Sequence, residues 1–372
     1  MIFAVVAGCS SGVEHDNRKV NETIVYPEVE VAIDSEGTID GIRRPLGVIH
    51  ELRIDENKNM YISDKSRLTI HKFDSTGTFI RGIGSRGRGA GEFMDVNDFQ
   101  IIQAADGEYQ LMVVDGINRI ISTFTPEGEV GNSYYPISPV FPRGNFLPVL
   151  GNNETRYLFL YKLYDEAEDS DCLFHLYNSE YQKISCFGSY ENLKYSSSVD
   201  FNYLSQGKPG HFVFDDEQNL YLTPFLYAGT LYRYKYLPED GTWIFDTEIE
   251  GYQALQIDPL REKEEPFNYQ LSYRGQTLFG RIINRSLGLF RKENRTYHFV
   301  SYTNNGDTNI GLEIFDTNDK LVSFATIPSL VENDSDSITL NRVLALDKTG
   351  HFYFVGEDST MQKVYRASLT LD

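Results

Sequence analysis

The stretch DENKNMYISDKSRLTIHKFDSTGTFI, residues 55–80, returns in altered form as DGEYQLMVVDGINRIISTFTPEGEV, residues 106–130. Four pairs of residues match at a constant offset of 51 positions: Asp55 with Asp106, Asp64 with Asp115, Phe73 with Phe124, and Gly77 with Gly128. A fixed period of this length is typical of proteins built from stacked or circularly arranged repeats. The two copies therefore predict a repetitive architecture.

Each repeat is predicted to form four short strands. In the first copy these are HELRID (residues 50–55), MYISD (60–64), LTIHKFD (68–74) and TFIRGIG (78–84). The turns between them carry Asn, Asp, Gly and Ser, which tolerate left-handed backbone or cap it locally. No stretch has helical periodicity over a useful length, so the chain is predicted to be all-β.

Looser copies of the repeat follow along the rest of the chain. They pair residues 145–161 with 173–188, 211–224 with 230–249, 287–302 with 311–327, and 342–356 with 362–369, with an insert at 254–286. The last copy has only three strands, and the segment TIVYPEVEVAI, residues 23–33, is the source of the missing outer strand. We therefore predict a six-bladed β-propeller of four-stranded blades, whose ring is closed by an N-terminal strand that completes the last blade.

The repeat resembles the NHL-type repeat, with its D-x-x-x-N-h-Y-h-x-D core and its F-D-x-x-G-x-F turn. The stretch FDSTGTFIRGIGSRGRGAGEF, residues 73–93, is more closely similar to the six-bladed propeller lipoproteins of Gram-negative bacteria, in which a Gly-rich stretch and GEF or GEY link successive blades. The resemblance covers most of the chain and is sharpest over residues 50–130. It implies a fold and an envelope address more than an activity.

The glycines at residues 82–87, GIGSRG, match the dinucleotide pattern G-x-G-x-x-G. That pattern binds a pyrophosphate only where a helix follows directly, because the amides at the helix N-terminus hold the phosphates. Here EFMDVNDFQII, residues 92–102, leads into the next inner strand instead. We expect these glycines to let the chain bend between two blades, and we expect no nucleotide ligand.

The composition also excludes nucleic acid as a partner. The net charge is −20, from 34 Lys and Arg against 54 Asp and Glu, whereas phosphate binding requires clustered basic side chains. Hydrophobic residues make up 41% of the chain, enough for a globular core. The 25 Tyr and 24 Phe favour pleated, half-buried surfaces.

The N-terminus resembles a bacterial lipobox. A short apolar run ends in VAGC, residues 6–9, although no Lys or Arg precedes it. We predict a lipoprotein signal over residues 1–9 that ends at the lipidated Cys9, a flexible tether over residues 10–22, and a single propeller domain over residues 23–372. The protein would then be exported and lipid-anchored to the outer membrane, on its periplasmic or its surface face, with no other segment long and apolar enough to span a bilayer.

The other two cysteines, Cys172 and Cys186, flank a predicted hairpin. An exported protein permits a disulfide between them. The sequence alone does not establish the geometry that a disulfide needs.

Candidate ligand-binding residues come from the rim of the predicted central channel, where blade connectors and the loops between second and third strands share one face. They are Arg43, Arg44, Arg86, Arg88 and Asp98 from connectors, with Glu92 and Asn97 beside them, and His50, Glu51 and His211 from the starts of inner strands. Arginine forks match carboxylates bidentately, which favours an anionic ligand such as an acidic sugar or a carboxylate-bearing peptide. The alternative is that these arginines are solvated and pair with neighbouring acids.

Catalytic chemistry has weaker support in the sequence. No cofactor is predicted, although related propeller hydrolases and lyases hold calcium or zinc in the channel. The two candidate metal ligands, His50 and His211, would lie on opposite blades. In the other four blades, the positions equivalent to these histidines are occupied by Ile101, Phe146, Ser286 and Arg342. There is no G-x-S-x-G elbow and no recognisable triad order of Ser and His. The sequence therefore favours a non-enzymatic binding or scaffold module for a glycan, peptide or protein ligand, and a metal-dependent hydrolase or lyase is the alternative.

Overall fold

The computed structural model describes most of the chain from Val20 to Ser368. The described residues are 20–25, 28–33, 38–39, 42–43, 46–96, 98–103, 107–135, 146–150, 155–160, 172–189, 193, 210–262, 264–265, 269–273, 276–304, 307–327, 330–332, 336–357 and 362–368. Within them, no helix is long and apolar enough to cross a membrane.

The strands form six blades, as the repeat predicts, with consecutive strands antiparallel in each blade. Four strands precede the first blade: β1 (Asn21–Ile24), β2 (Glu28–Ile33), β3 (Thr38–Ile39) and β4 (Ile42–Arg43). Blade one is β5 (Ile49–Ile54), β6 (Met60–Asp64), β7 (Thr69–Phe73) and β8 (Phe79–Ile83). The short pair β9 (Ser85–Arg86) and β10 (Glu92–Phe93) connects it to blade two, which is β11 (Asp98–Gln103), β12 (Tyr109–Asp115), β13 (Ile120–Phe124) and β14 (Val130–Tyr134).

The remaining blades repeat this order. Blade three is β15 (Phe146–Leu150), β16 (Thr155–Leu160), β17 (Cys172–Tyr177) and β18 (Lys183–Ser189), and blade four is β19 (Gly210–Phe214), β20 (Leu220–Pro224), β21 (Thr230–Leu237) and β22 (Thr242–Glu250). Blade five is β26 (Asn284–Lys292), β27 (Arg295–Asn304), β28 (Asp307–Phe315) and β29 (Leu321–Ile327). Blade six is β31 (Asp336–Leu346), β32 (His351–Glu357) and β33 (Gln362–Ser368), with β30 (Leu330–Glu332) paired to β31.

The insert between blades four and five has a small sheet of its own. After the single-turn 3-10 helix Gln253–Leu255, the strands β23 (Leu260–Glu262), β24 (Tyr269–Tyr273) and β25 (Gln276–Ile282) form a three-stranded sheet. The insert is shorter than the sequence predicts, because residues 284–286 already belong to β26. These three residues therefore lie at the start of an inner strand.

The N-terminal segment closes the ring, but it does so with two strands instead of one. The strand β2 pairs antiparallel with β33 and completes blade six, as predicted, with Val31 opposite Tyr365. The strand β1 instead pairs parallel with β29 and adds a fifth strand to blade five. The prediction of a single strand over residues 23–33 is therefore wrong in its first half, because the chain passes from one blade to the next within this segment.

The hydrophobic core is divided among the gaps between blades. Each of the six clusters of buried apolar residues joins two neighbouring blades, in the order one–two, two–three, three–four, four–five, five–six and six–one. In the last gap, Ile33 from β2 packs with Leu52 and Met60 of blade one. The ring is thus held by apolar burial around its whole circumference, and the N-terminal strand takes part in it.

In blades one and two, an aspartate at the end of the second strand fastens the preceding connector. Asp64 accepts hydrogen bonds from the amides of Gly47, Ser66 and Arg67, at 2.7, 3.0 and 3.2 Å. Burial alone would raise the pKa of Asp64, but these bonds and the imidazole of His71, whose Nε2 atom lies 3.6 Å from Oδ2 of Asp64, hold it well below its ordinary range. Asp115 is its counterpart in blade two and accepts from the amides of the same kind of turn.

Replacing Asp64 by asparagine is expected to lower the free energy of unfolding at pH 7 by about 1–3 kcal/mol, because buried amides lose their charged acceptor. Because the pKa of Asp64 is lower in the folded state than in the unfolded state, where it is about 4, the ionised carboxylate stabilises the fold at pH values above about 4. This stabilisation is lost progressively as the pH falls from about 4 toward the folded-state pKa. The difference between wild type and D64N should therefore narrow between pH 5 and pH 3 in urea titrations. The exposed carboxylate Asp216 provides the control, and D216N should change the free energy of unfolding by less than about 0.5 kcal/mol at either pH.

The glycine-rich connector after blade one is a tight bend. The strands β9 and β10 run parallel to each other, and the turn between them returns the chain toward β11. Gly84 has a φ of +72°, and a Cβ there would lie 2.1 Å from the ring of Phe93. No helix follows these glycines within the described part of the connector, which confirms that the motif is a blade connector.

Candidate functional site

A cavity of about 220 Å³ lies beside the inner strands of blades four, five and six. Its walls are Gly210 and His211 of β19, Phe225 after β20, Arg285, Ser286 and Leu287 of β26, and Arg342 of β31. Two guanidinium groups thus share the cavity with an imidazole, a hydroxyl and two apolar side chains. A concave site with a few convergent polar groups among apolar walls is typical of small-ligand sites.

The loop between the second and third strands of blade four holds this wall together. The amide of Ser286 donates to the carbonyl of Phe225 at 2.8 Å, and Leu226 forms an antiparallel bridge with Arg285. The register of β26 against β27 then shifts between Ser286 and Gly288, so Leu287 is the extra residue of a β-bulge. A bulge re-aims neighbouring side chains, and here it lies among the residues that line the cavity.

Among the described residues, no carboxylate neutralises Arg285, one of the two arginines that line the cavity. Burial lowers the pKa of its guanidinium below the ordinary value, and no carboxylate of the described residues acts to raise it. Arg342 differs, because its Nη1 atom lies 3.9 Å from Oε1 of Glu51. A half-buried cation without an acid beside it attracts an anion far more strongly than a solvated one does.

His211 connects the cavity to blade five. Its Nδ1 atom lies 3.0 Å from Oγ of Ser286, and both side chains line the cavity. The sequence predicts that His211 approaches the mouth of the channel. In the structure, His211 lies on the wall of the cavity. His50 lies elsewhere, half-buried on blade one, with its Nδ1 atom 3.9 Å from Oε1 of Glu51.

Asp98 belongs to a buried network that joins the inner strands of blades one and two. Its Oδ1 atom lies 2.9 Å from Nη2 of Arg53, which also donates from Nη1 to Glu51 at 3.0 Å and from Nε to Gln100 at 3.0 Å. Burial alone would lower the pKa of Arg53, but the carboxylates of Asp98 and Glu51 raise it above its ordinary value. The other oxygen of Asp98 accepts from the amide of Phe146 in blade three at 3.1 Å. Asp98 is fully buried, so these contacts occupy it.

Arg86 and Arg88 are not brought together with the cavity. Arg86 and Arg88 are exposed, and Nη2 of Arg86 donates to the carbonyl of Ser66 at 3.1 Å. Arg43 is placed in β4 without a described side chain, and Arg44 lies outside the described residues, as Asn97 does. Glu92 accepts from the amide of Gly89 at 2.7 Å and so supports the connector.

The structure joins Cys172 and Cys186 by a disulfide across β17 and β18, with 5.8 Å between their Cα atoms. Cys9 lies outside the described residues. For calcium or zinc, the described part of the chain contains no group of three or more His, Cys, Asp or Glu side chains positioned to share an ion.

Of the residues that line the cavity, sequence reasoning named His211, Ser286 and Arg342, but it missed Arg285 and Phe225. Both residues line the cavity because the loop after β20 in blade four contacts the start of β26 in blade five. Arg285 was hidden at the end of the insert, one residue before Ser286, which was identified at an inner-strand start. The signal that could have found Arg285 is its position beside Ser286, at the start of an inner strand.

Comparison with known proteins supports the architecture. A family model described as a 6-bladed beta-propeller, DUF5128, matches residues 43–333. No curated protein matches the chain at a significant level. The NHL-type repeat therefore describes the unit only loosely, and the six-bladed family is the better description.

Two solved structures from Bacteroides have the same fold at low identity. A protein of Bacteroides fragilis described as exported is 13% identical, with a TM-score of 0.54, covering 94% of this chain and 99% of its own. A DUF4221 family member of Bacteroides vulgatus is 11% identical, with a TM-score of 0.53, covering 93% of this chain and 98% of its own. The family match spans most of the chain, from the end of β4 through blade five, and this chain therefore belongs to the six-bladed β-propeller family DUF5128.

Proposed function

We propose that this protein is an envelope binding protein that holds a small carboxylate-bearing ligand in the cavity of blades four to six. The observation that carries the proposal is Arg285, a half-buried guanidinium that lines the cavity with no carboxylate of the described residues to neutralise it. A guanidinium binds a carboxylate through two parallel hydrogen bonds, and burial strengthens both. The ligand would supply the negative charge that the protein does not.

The walls of the cavity narrow the class of ligand further. Phe225 and Leu287 contribute apolar surface, so the ligand would carry an apolar part beside its carboxylate. A volume of about 220 Å³ is smaller than that of a typical drug-sized pocket, which favours one acidic sugar residue or the C-terminal residue of a peptide. A glycan or peptide would then present its acidic end to the cavity while the rest of it lies across the rim.

The proposal includes the location of the protein in the cell. The lipobox-like residues 6–9 support lipidation at Cys9, and the tether predicted over residues 10–22 would end before Asn21, where β1 begins. The structural neighbour from Bacteroides fragilis is described as exported. The Cys172–Cys186 disulfide also agrees with an oxidising compartment outside the cytoplasm. We propose that the propeller domain is held at the outer membrane through this lipid anchor.

The metal-dependent hydrolase or lyase stays an untested alternative, favoured by none of the contacts described above.

Replacing Arg285 by glutamine is expected to weaken the binding of small carboxylates about 10- to 100-fold, because one charge-assisted interaction worth roughly 1.5–3 kcal/mol is lost. Titration calorimetry with succinate, glucuronate and an N-acetylated dipeptide acid measures this. The uncharged methyl ester of the acid that binds wild type most tightly should bind it as weakly as that acid binds R285Q.

The matched control is the double variant R86Q/R88Q, which removes two exposed arginines from the predicted rim. It should leave the affinity for the acids unchanged. If R86Q/R88Q lost binding and R285Q retained it, the ligand would occupy the rim instead of the cavity. If none of the three acids bound wild type at millimolar concentration, or if the methyl ester bound as well as the acid, the proposal would be wrong.

A further inference from the structure

Three polar side chains of blade five lie in line on one face of its sheet. His298 of β27 is directly opposite Glu313 of β28, and Ser286 of β26 is diagonal to His298, because its own partner is Val300. Partners at these positions point to the same face of an antiparallel sheet. Oγ of Ser286 lies 3.0 Å from Nε2 of His298, and Nδ1 of His298 lies 2.7 Å from Oε2 of Glu313.

The hydrogen bonds around Glu313 determine which groups in this row donate a proton and which accept one. Its other oxygen, Oε1, accepts from the amide of Tyr252 at 2.5 Å, so the carboxylate is held from two sides. A Cβ at Gly251 would lie 2.4 Å from Oε1, so the glycine allows the backbone to approach this closely. An ionised carboxylate only accepts, which puts the proton of His298 on Nδ1 and leaves Nε2 as an acceptor.

The hydroxyl of Ser286 is therefore placed to donate to His298. His211 contacts the same oxygen from the other side, with Nδ1 at 3.0 Å, and as a donor it leaves the hydroxyl proton free to point at Nε2. Oγ1 of Thr223 also lies 3.2 Å from Nε2 of His298. The Thr223 hydroxyl has a second acceptor in the carbonyl of Pro224, at 3.5 Å. His298 and Glu313 are fully buried, and Ser286, which is 2% exposed, is the member of the row that lines the cavity.

A nucleophile within 2.6–3.2 Å of a base, with the base held by a third group, is the geometry of activated serine. We propose that Ser286 is a nucleophile, that His298 is its general base, and that Glu313 orients His298, so that the cavity hydrolyses carboxylic esters whose acyl part carries a second carboxylate. The choice of that substrate class rests on the proposed function, because Arg285 would hold the second carboxylate. The nucleophile itself does not depend on it.

The reaction needs only water as a second reactant. Oγ of Ser286 attacks the ester carbonyl while its proton passes to Nε2 of His298, and collapse of the tetrahedral intermediate breaks the bond to the alcohol oxygen, which takes that proton. Water then attacks the acyl-serine and gives a proton to His298. When the bond between Oγ and the acyl carbon breaks, the carboxylic acid leaves and the proton returns to Oγ.

A small alkyl fluorophosphonate tests the nucleophile directly, because it forms a stable bond to an activated serine and releases fluoride. We expect intact-mass analysis of the wild-type chain to show one adduct, and peptide mapping to place it on Ser286. S286A should remain unlabelled, and H298Q should be labelled at least about 100-fold more slowly. E313Q should also react more slowly than wild type, and S122A, which removes a buried serine of blade two, should react at the wild-type rate.

A second measurement separates this proposal from the binding proposal. The p-nitrophenyl monoester of succinic acid should be hydrolysed faster than p-nitrophenyl acetate by wild type, and R285Q should abolish that preference while Ser286 is still labelled. Calorimetric binding of acids without labelling of Ser286 would overturn the nucleophile and leave the binding site standing. An adduct on another residue, or equal labelling rates for wild type and a folded H298Q variant, would also overturn it.

Discussion

Replacing Arg53 by methionine is expected to lower the free energy of unfolding by about 3–5 kcal/mol, the typical cost of removing one partner of a buried ion pair. Arg53 donates to Asp98, Glu51 and Gln100, and the side chain of Asp98 is only 1% exposed. Without the guanidinium, the carboxylate of Asp98 stays buried beside that of Glu51 with no cation between them. The urea unfolding midpoint and slope measure the loss.

The control for this variant is R86M, which removes an arginine of the same length from the exposed connector. It should change the free energy of unfolding by no more than about 0.5 kcal/mol. Adding D98N to R53M should recover part of the loss, because the unpaired charge is removed while the acceptor for the amide of Phe146 remains. Equal effects of R53M and R86M would show that the network does not hold the inner strands together.

Deleting residues 1–33 is expected to destabilise the ring by roughly 5 kcal/mol or more, since burying each large aliphatic side chain contributes about 1.5–3 kcal/mol. The deletion removes β2, whose Ile33 is buried between blades six and one and whose Val29 and Val31 pack against blade six. It also leaves β33 as an unpaired edge, which favours aggregation. Urea unfolding and sedimentation velocity measure the two effects.

Deleting residues 1–19 alone provides the matched control, because β1 and β2 stay in place. This shorter deletion should unfold at the wild-type midpoint. A synthetic peptide of residues 20–33, added to the longer deletion, should restore part of the stability by pairing with β29 and β33. If both deletions unfolded at the same urea concentration, closure by the N-terminal strands would contribute nothing.

The fold was largely predictable because its determinants are local. Apolar runs that end in aspartate, followed by turn residues, repeat along the chain, and the missing strand of the last unit indicates how the ring closes. The pairing of β1 with β29 was not predictable, because Asn21–Ile24 is a short strand with no pattern that distinguishes one blade edge from another. Parallel pairing between distant segments leaves no turn signal in the sequence.

The site was less predictable because it depends on burial and on strand register. Arg86 and Arg285 have the same side chain, but only the structure shows that Arg86 is exposed and that Arg285 lines a cavity with no acid of the described residues beside it. Ser286, His298 and Glu313 are separated by strand and turn lengths that a single bulge changes. A register error of one residue would point one of these side chains to the opposite face of the sheet.

The most direct test of the binding site is a crystal structure of the protein with 5-bromo-2-furoate, a small apolar acid whose bromine gives an anomalous signal. We predict one strong bromine peak inside the cavity between His211 and Arg342, with the carboxylate on Arg285, and no peak in crystals of R285Q grown under the same conditions. A peak beside Arg86 and Arg88 in wild-type crystals, or an empty cavity at a concentration that saturates binding in solution, would contradict the assignment of this cavity as the ligand site.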